Sequence, residues 1–268
     1  MKAAVMISDG RMQVIAARLE ELGMDVMRAT DTASMQAVEE AAPTLDFLLL
    51  PIRGVDAAGM VHIPGVDYPA GTMLERLKPE AVLLTGLHTD YLHALDRPVF
   101  CYYDDAQVRE ENTALTAEGL LYYFMQVTPK SIYEYTVDII GYGHVGRKTA
   151  ELFERIGIAV RVVTDETPEE GGIPMIAYDH WKNGKPCSVI INTAPSTVIT
   201  KAMAEHFQPG TIIIDIASNQ VGVEPAVYEL PHICVKAAPG LPGLVAEQSA
   251  GEILADYIER NFLKKTGF

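Results

Sequence analysis

The sequence predicts an α/β protein of two doubly wound parallel-sheet domains joined by two linking helices. Three observations carry that expectation. Short apolar runs alternate with helix-like stretches along the chain. A strand, a glycine-rich turn and a helix-like run stand together near the middle, and a long helix-like segment lies near the end. Alternation of this kind gives a parallel sheet with helices on both faces.

In the first 116 residues, "AAVMI", "DVMRA", "DFLLLP", "AVLLTG" and "PVFCYY" read as strands. Between them "MQVIAARLEEL", "SMQAVEEAA", "TMLERLK" and "DYLHAL" read as helices, ended by Gly23, Pro43, Pro79 and Pro98. A helix over 116–127, "TAEGLLYYFMQV", leads onward. In the second half "VDIIG", "AVRVVT", "SVIINTAP", "GTIIIDIAS" and "HICVKAAPG" read as strands, and "LVAEQSAGEILADYIERNF" as one long helix. The expected division is an N-terminal substrate or partner domain of 1–116 plus 246–268, and a second domain of 117–245 inserted between the linking helices 116–127 and 246–263. The cleft between the two is where a ligand would be expected, since ligands of parallel sheets bind at strand C-terminal ends.

The middle stretch, "VDIIGYGHVGRKTAELF", sharpens the reading of the second domain. Val137, Ile139 and Ile140 suit a buried parallel strand. Gly141, Gly143 and Gly146 give G-x-G-x-x-G, and with His144 and Val145 they form the expected pyrophosphate turn of a Rossmann dinucleotide-binding domain. Val145, Thr149, Leu152, Phe153 and Ile156 then recur at helical spacing. Such a helix start points free N–H groups and a positive dipole end at a phosphate.

A second strand, "GIAVRVVTD", ends in Asp165, 24 positions after Gly141 and close to the spacing at which an acid meets the adenosine ribose hydroxyls. A carboxylate there accepts hydrogen bonds from NAD but repels the extra phosphate of NADP. Like charges about 4 Å apart repel by roughly 4 kcal/mol at an effective dielectric near 20, and a third of that favours NAD about tenfold. The expected cofactor is therefore NAD, with NADP the alternative if Arg161 takes the phosphate instead.

Half the residues are apolar, enough for a sizeable core in a chain of 268. The net charge of −15 argues against nucleic acid and against an anionic membrane surface. Cys101, Cys187 and Cys234 are scattered, no Cys/His metal spacing occurs, and His88 and His93 are five apart, so no metal is expected. The first apolar run is cut by "SDGR" and nothing approaches a membrane span, so a cytoplasmic protein is expected.

Several motifs carry a resemblance: "TAEG" (Thr116–Gly119), "GYGHVG", "INTAP" (Ile191–Pro195), "DIAS" (Asp215–Ser218) and "APGLPGLVAEQSAGEILA" (Ala238–Ala255). Pro51–Gly54, Thr85-Gly86, and Asp9 with Arg11 fit the same pattern. Over nearly its whole length the chain resembles the dipicolinate synthase A-subunit family. The resemblance implies a two-domain, nicotinamide-dependent oxidoreductase of spore-forming bacteria that oxidises dihydrodipicolinate to dipicolinate. It also implies a second, flavodoxin-like partner subunit; a homo-oligomer is the expected assembly.

The chain departs from that pattern at four places. The family tends to have a basic residue at Asp165, which suits NADP; the local charge here favours NAD. Its "PVSG" is Pro51-Ile52-Arg53-Gly54, its "APKTAG" lysine is Gln248, and its "SKPGG" reads Ser218-Asn219-Gln220-Val221-Gly222.

Oxidising a dihydropyridine removes a hydride and a proton, and aromatisation supplies driving force. Such a step needs orientation and carboxylate clamping more than a tuned acid–base pair, and no general base is identified. Asp9 and Arg11 follow the first strand and are both expected to face the cleft as substrate-binding candidates, with Arg11 the bidentate carboxylate clamp. Arg53 and Thr85 are further substrate-binding candidates. Asn192, Thr193 and Pro195 end the strand expected nearest the nicotinamide, and Pro239–Gly243, including Pro242, would border its ring. Two other readings are weighed. A D-2-hydroxy-acid dehydrogenase-like enzyme shares the layout, but Ser218-Asn219 and Pro239-Gly240 stand where its Arg and His are expected. A non-catalytic NAD-binding subunit of a complex needs no base.

Overall fold

The structure, a computed structural model, describes residues 1–166, 172–217, 222–238 and 240–264. The chain forms two compact units, one of Met1–Asn112 with Ala246–Phe268 and the other of Thr113–Val245.

In the first unit, β1 (Lys2–Met6), β2 (Asp25–Ala29), β3 (Phe47–Leu49), β6 (Val82–Thr85) and β7 (Val99–Cys101) form one parallel sheet in the order β2-β1-β3-β6-β7. Counted within that sheet this is the doubly wound 2-1-3-4-5 order, whose ligand crevice lies between its first and third strands. The helices between strands cover both faces. On one, α1 (Gly10–Glu21) brings Met12, Ile15, Ala16 and Leu19 against Leu254, Ala255 and Ile258 of α10 (Glu247–Ile258). On the other, α2 (Thr32–Ala41), α3 (Gly71–Arg76) and α4 (Asp90–His93) bury Met35, Val38, Met73, Leu74 and Leu92. Each such large apolar side chain contributes about 1.5–3 kcal/mol by leaving water.

A hairpin of β4 (Met60–Ile63) and β5 (Val66–Pro69) was not expected as strands. Its signal was the Pro64-Gly65 turn, where Gly65 takes φ +77°. That is a type II turn pairing of proline and glycine.

In the second unit, β8 (Thr136–Ile140), β9 (Ala159–Val163), β10 (Met175–Ile176), β11 (Val189–Asn192), β12 (Thr211–Asp215) and β13 (Ile233–Ala237) are all parallel, in the order β10-β9-β8-β11-β12-β13. This is the Rossmann order 3-2-1-4-5-6, which reverses direction between its first and fourth strands. On one face α5 (Ala106–Val127), α6 (His144–Arg155) and α9 (Leu241–Val245) bury Phe124, Phe153 and Leu241. On the other lie Trp181 of α7 (Tyr178–Lys182) and Ala204 of α8 (Lys201–Ala204).

Two helix boundaries differ from expectation. α5 starts at Ala106, ten residues early, because Asp105 caps it: its Oδ1 accepts from the N–H groups of Gln107 and Val108, each at 3.0 Å. The polar first turns hid this start from periodicity. The C-terminal helix is not continuous. Ala246, at φ −144° and ψ 47°, separates α9 from α10, and a π-helical turn follows at Glu259–Leu263. Among the described residues no helix is long and apolar enough to cross a membrane.

Candidate functional site

In the second unit the turn between β8 and α6 stands at the sheet's switch point. Gly141 takes φ +96°, a conformation that disfavours a side chain. A Cβ on Gly146 would collide with the Gly141 carbonyl oxygen, so α6 comes this close to the strand only because residue 146 has none. Gly143, the N-cap residue, is different: among the described residues a Cβ there would meet nothing within 4 Å, and no side chain caps the helix. Open space thus lies beside a helix start whose first N–H groups lack intrahelical partners, which suits an incoming phosphate. His144 is exposed and Val145 half-buried at that start.

The end of β11 braces the turn from the other side. Thr193 Oγ1 donates to the Ile140 carbonyl at 2.9 Å and lies where a Cβ on Gly141 would be 2.8 Å away. Asn192 is fully buried; its amide donates to Asp215 Oδ1 at 2.9 Å and its oxygen accepts from the Ala194 N–H at 3.1 Å. Asp215, its register partner on β12, is 2 % exposed, and its Oδ2 has no hydrogen-bond partner among the described residues. A buried carboxylate at the tip of the apolar run "GTIIIDIAS" was legible as a motif, but its pairing with Asn192 was not. Pro195 is exposed, whereas Pro242 is buried in α9. Ser218, Asn219 and Pro239, where the arginine and histidine of a hydroxy-acid dehydrogenase were sought, lie outside the described residues.

At the end of β9, Asp165 is exposed and accepts from the Tyr178 N–H at 3.1 Å. Arg161 points elsewhere: it donates to both oxygens of fully buried Asp138, at 2.7 and 2.9 Å. That pairing holds the guanidinium charged, above its ordinary range. Trp181 Nε1 and the Cys187 N–H complete the Asp138 shell at 2.8 and 2.7 Å. Burial first, and Asp138 second, push the Cys187 thiol up to about 12, so it is not a reactive thiolate. Arg147, in the first turn of α6, lies over the Tyr142 ring and 4.0 Å from Glu166. Sequence reading had not singled it out.

In the first unit Asp9 and Arg11 follow β1, Arg53 follows β3 and Thr85 ends β6, the strands at and next to its switch point. Asp9 caps α1 by accepting from the Arg11 N–H at 3.0 Å. Its two oxygens also take Nε and Nη2 of Arg11, at 3.1 and 2.7 Å, and Arg11 Nη1 reaches the Tyr103 hydroxyl at 3.4 Å. Arg11 is 7 % exposed. Burial is the largest influence and lowers its pKa, but the bonds and charges of Asp9 and Tyr103 together outweigh it, so the guanidinium is held charged, above its ordinary range. The bidentate edge expected to clamp a substrate is therefore taken by Asp9, and Nη1 is directed at the Tyr103 hydroxyl. Thr85 is fully buried and donates to the Leu87 carbonyl at 3.1 Å, so it shapes its loop from inside. Arg53 is exposed and makes no ion pair among the described residues.

No protein-family model matches the chain. Its sequence is 25% identical to the A subunit of dipicolinate synthase from Bacillus subtilis (strain 168), over 97% of this chain and 95% of that protein. The crystal structure of the dipicolinate synthase A subunit from Bacillus halodurans superposes with a TM-score of 0.82 at 26% identity, covering 97% of this chain and 96% of the other. D-lactate dehydrogenase with NAD+ from Lactobacillus jensenii shares the fold more distantly, with a TM-score of 0.56 and 14% identity over 100% and 97% of the two chains. Along almost its whole length, in sequence and in fold, the chain is similar to the A subunit of dipicolinate synthase.

Proposed function

We propose that the protein is an NAD-dependent oxidoreductase that oxidises dihydrodipicolinate, or a related cyclic dicarboxylate, to the aromatic acid. The observation that carries this reading is the turn at Gly141–Gly146, open at Gly143 and standing at the switch point of a Rossmann-ordered sheet. When bound there, the nicotinamide supplies hydride acceptance. Gly141, Gly143, His144, Val145 and Gly146 would hold the pyrophosphate, and Asp165 the adenosine ribose. Among the described residues Asp165 and Glu166 stand just past the end of β9, and the Arg147 guanidinium lies 4.0 Å from Glu166. This balance favours NAD over NADP. Thr193 fixes the turn, and Asn192 with Asp215 forms the buried polar floor at the strand ends.

The first unit would bind the dicarboxylate through Arg11 Nη1, Tyr103 and Arg53. Their task is orientation, because aromatisation of the ring drives the step once geometry is set. The similarity to one named subunit of a synthase supports a requirement for a second. The test is turnover of dihydrodipicolinate with NAD, by the chain alone and in the presence of a flavodoxin-like partner. Formation of dipicolinate and NADH in either arm supports the reading; cofactor binding without turnover in both favours a non-catalytic NAD-binding role.

A further inference from the structure

We propose that His88, Cys101 and Asp104 form a binding site for a zinc-class divalent cation in the first unit. His88 lies in the loop after β6, Cys101 is the last residue of β7, and Asp104 follows in the next turn. Their ligand atoms all lie within 4.8 Å of one another. Sequence spacing conceals the set, because two separate segments supply it, His88 from one and Cys101 with Asp104 from the other, and no Cys/His repeat marks it.

The backbone places each donor. Thr85 and Cys101 are register partners on adjacent strands. The Thr85 hydroxyl holds the Leu87 carbonyl at 3.1 Å, and a Cβ on Gly86 would lie only 2.5 Å from the Ile52 carbonyl oxygen. The loop that carries His88 is thereby confined. Cys101 Sγ turns toward this loop and donates to the Gly86 carbonyl at 2.8 Å. His88 Nε2 meets Asp104 Oδ2 at 2.7 Å, and the His93 ring stacks on His88 at 4.9 Å and 16°, fixing its plane.

The donor chemistry selects the metal. One sulfur, one imidazole nitrogen and one carboxylate oxygen suit borderline-soft zinc rather than magnesium or calcium, which take oxygen ligands. Zinc bonds of about 2.0–2.3 Å in a tetrahedron put neighbouring donors roughly 3.3–3.8 Å apart. The observed separations, from 2.7 Å to at most 4.8 Å, bracket that range, so side-chain rotation suffices to close the site. A thiolate and a carboxylate neutralise the dication. Metal entry displaces the thiol proton and the contact between His88 and Asp104. Cys101 is buried while His88 and Asp104 are exposed, so the fourth position faces water. That is the three-ligand pattern of an open zinc site.

The test titrates zinc ions into untagged, chelator-stripped full chain by calorimetry, and cobalt(II) into a second sample to read the near-ultraviolet thiolate charge-transfer band. One equivalent binds. His88→Ala and Asp104→Asn, both at exposed positions, each weaken zinc by more than the about 10–100-fold that loss of an outer-shell partner costs. Cys101→Ser removes the cobalt band, whereas Cys187→Ser and Cys234→Ser keep it. No stoichiometric uptake, or uptake unchanged in both His88→Ala and Asp104→Asn, overturns the proposal even if Cys101→Ser fails to fold. A cobalt band that persists in folded Cys101→Ser does the same. Neither dinucleotide nor dicarboxylate is present in these titrations, so their outcome is separate from that of the oxidoreductase reading.

Discussion

Asp138 and Arg161 face each other across β8 and β9, joined by hydrogen bonds of 2.7 and 2.9 Å. The carboxylate is fully buried and the guanidinium side chain 28% exposed. Removing one partner of a buried pair strands the other charge at a cost of about 3–5 kcal/mol. Arg161→Leu is expected to lose an amount near the low end of that range in denaturant unfolding, since solvent reaches part of the pair. It should leave the ratio of NAD to NADP affinity unchanged, because Arg161 is committed to Asp138.

The two glycines of the turn separate folding from binding. Gly143→Ala adds a methyl group to open space and should leave the melting temperature unchanged while weakening dinucleotide binding at least tenfold. Gly146→Ala forces the helix away from the Gly141 carbonyl and should destabilise the protein by about 1–3 kcal/mol. Thermal melts paired with cofactor titrations of both variants check this contrast.

Arg11→Ala strands the Asp9 carboxylate that Nε and Nη2 pair with, so thermal melts should show a loss of stability. The substitution also removes the one charge-assisted hydrogen bond, worth about 1.5–3 kcal/mol, that Nη1 would make to substrate. It should weaken substrate handling roughly ten- to a hundredfold, read as kcat/KM, and leave NAD affinity unchanged. Arg53→Ala should not alter stability, since Arg53 is exposed and makes no ion pair among the described residues. A fall in kcat/KM for the dicarboxylate on that substitution assigns Arg53 to substrate; no change leaves Arg11 and Tyr103 as its anchors.

Much of this architecture was legible because it follows from period and punctuation. Apolar runs such as "GTIIIDIAS" predict buried parallel strands, and glycine spacing predicts the turn that Gly146 closes against Gly141. What stayed hidden depends on side-chain partners from distant segments. Nothing near Arg11 in the sequence announced Tyr103, and nothing near His88 announced Cys101. Asp9 was read beside Arg11 as a second cleft residue, whereas its capping role turns the two into an intramolecular pair. α5 began early because a single cap, Asp105, outweighed the lack of an apolar stripe.

His62 gives the β4–β5 hairpin a pH dependence of known sign. Its ring meets Asp67 at 2.6 Å and Asp56 at 2.8 Å, and those bonds raise its pKa above the ordinary value of about 6.5. The pairing contributes fully below that value and is lost as pH rises through the raised one. Asp56 is lowered, first by the Met60 N–H and then by His62, so its contribution is lost as pH falls through the lowered value. An NMR titration should place the His62 midpoint above about 6.5. Thermal stability should fall on going from pH 6 to pH 8 as His62 loses its proton, and His62→Gln should flatten that fall.

An NAD site in the second unit, its ribose corner set by Asp165, is the central claim. Calorimetric titration of NAD and NADP into the same preparation at one salt concentration tests it most directly. NAD should bind about tenfold more tightly, as expected from partial repulsion of a phosphate by a nearby carboxylate, and Asp165→Arg should move the preference toward NADP. Equal or tighter binding of NADP by the unaltered protein, or no binding of either dinucleotide, would contradict it.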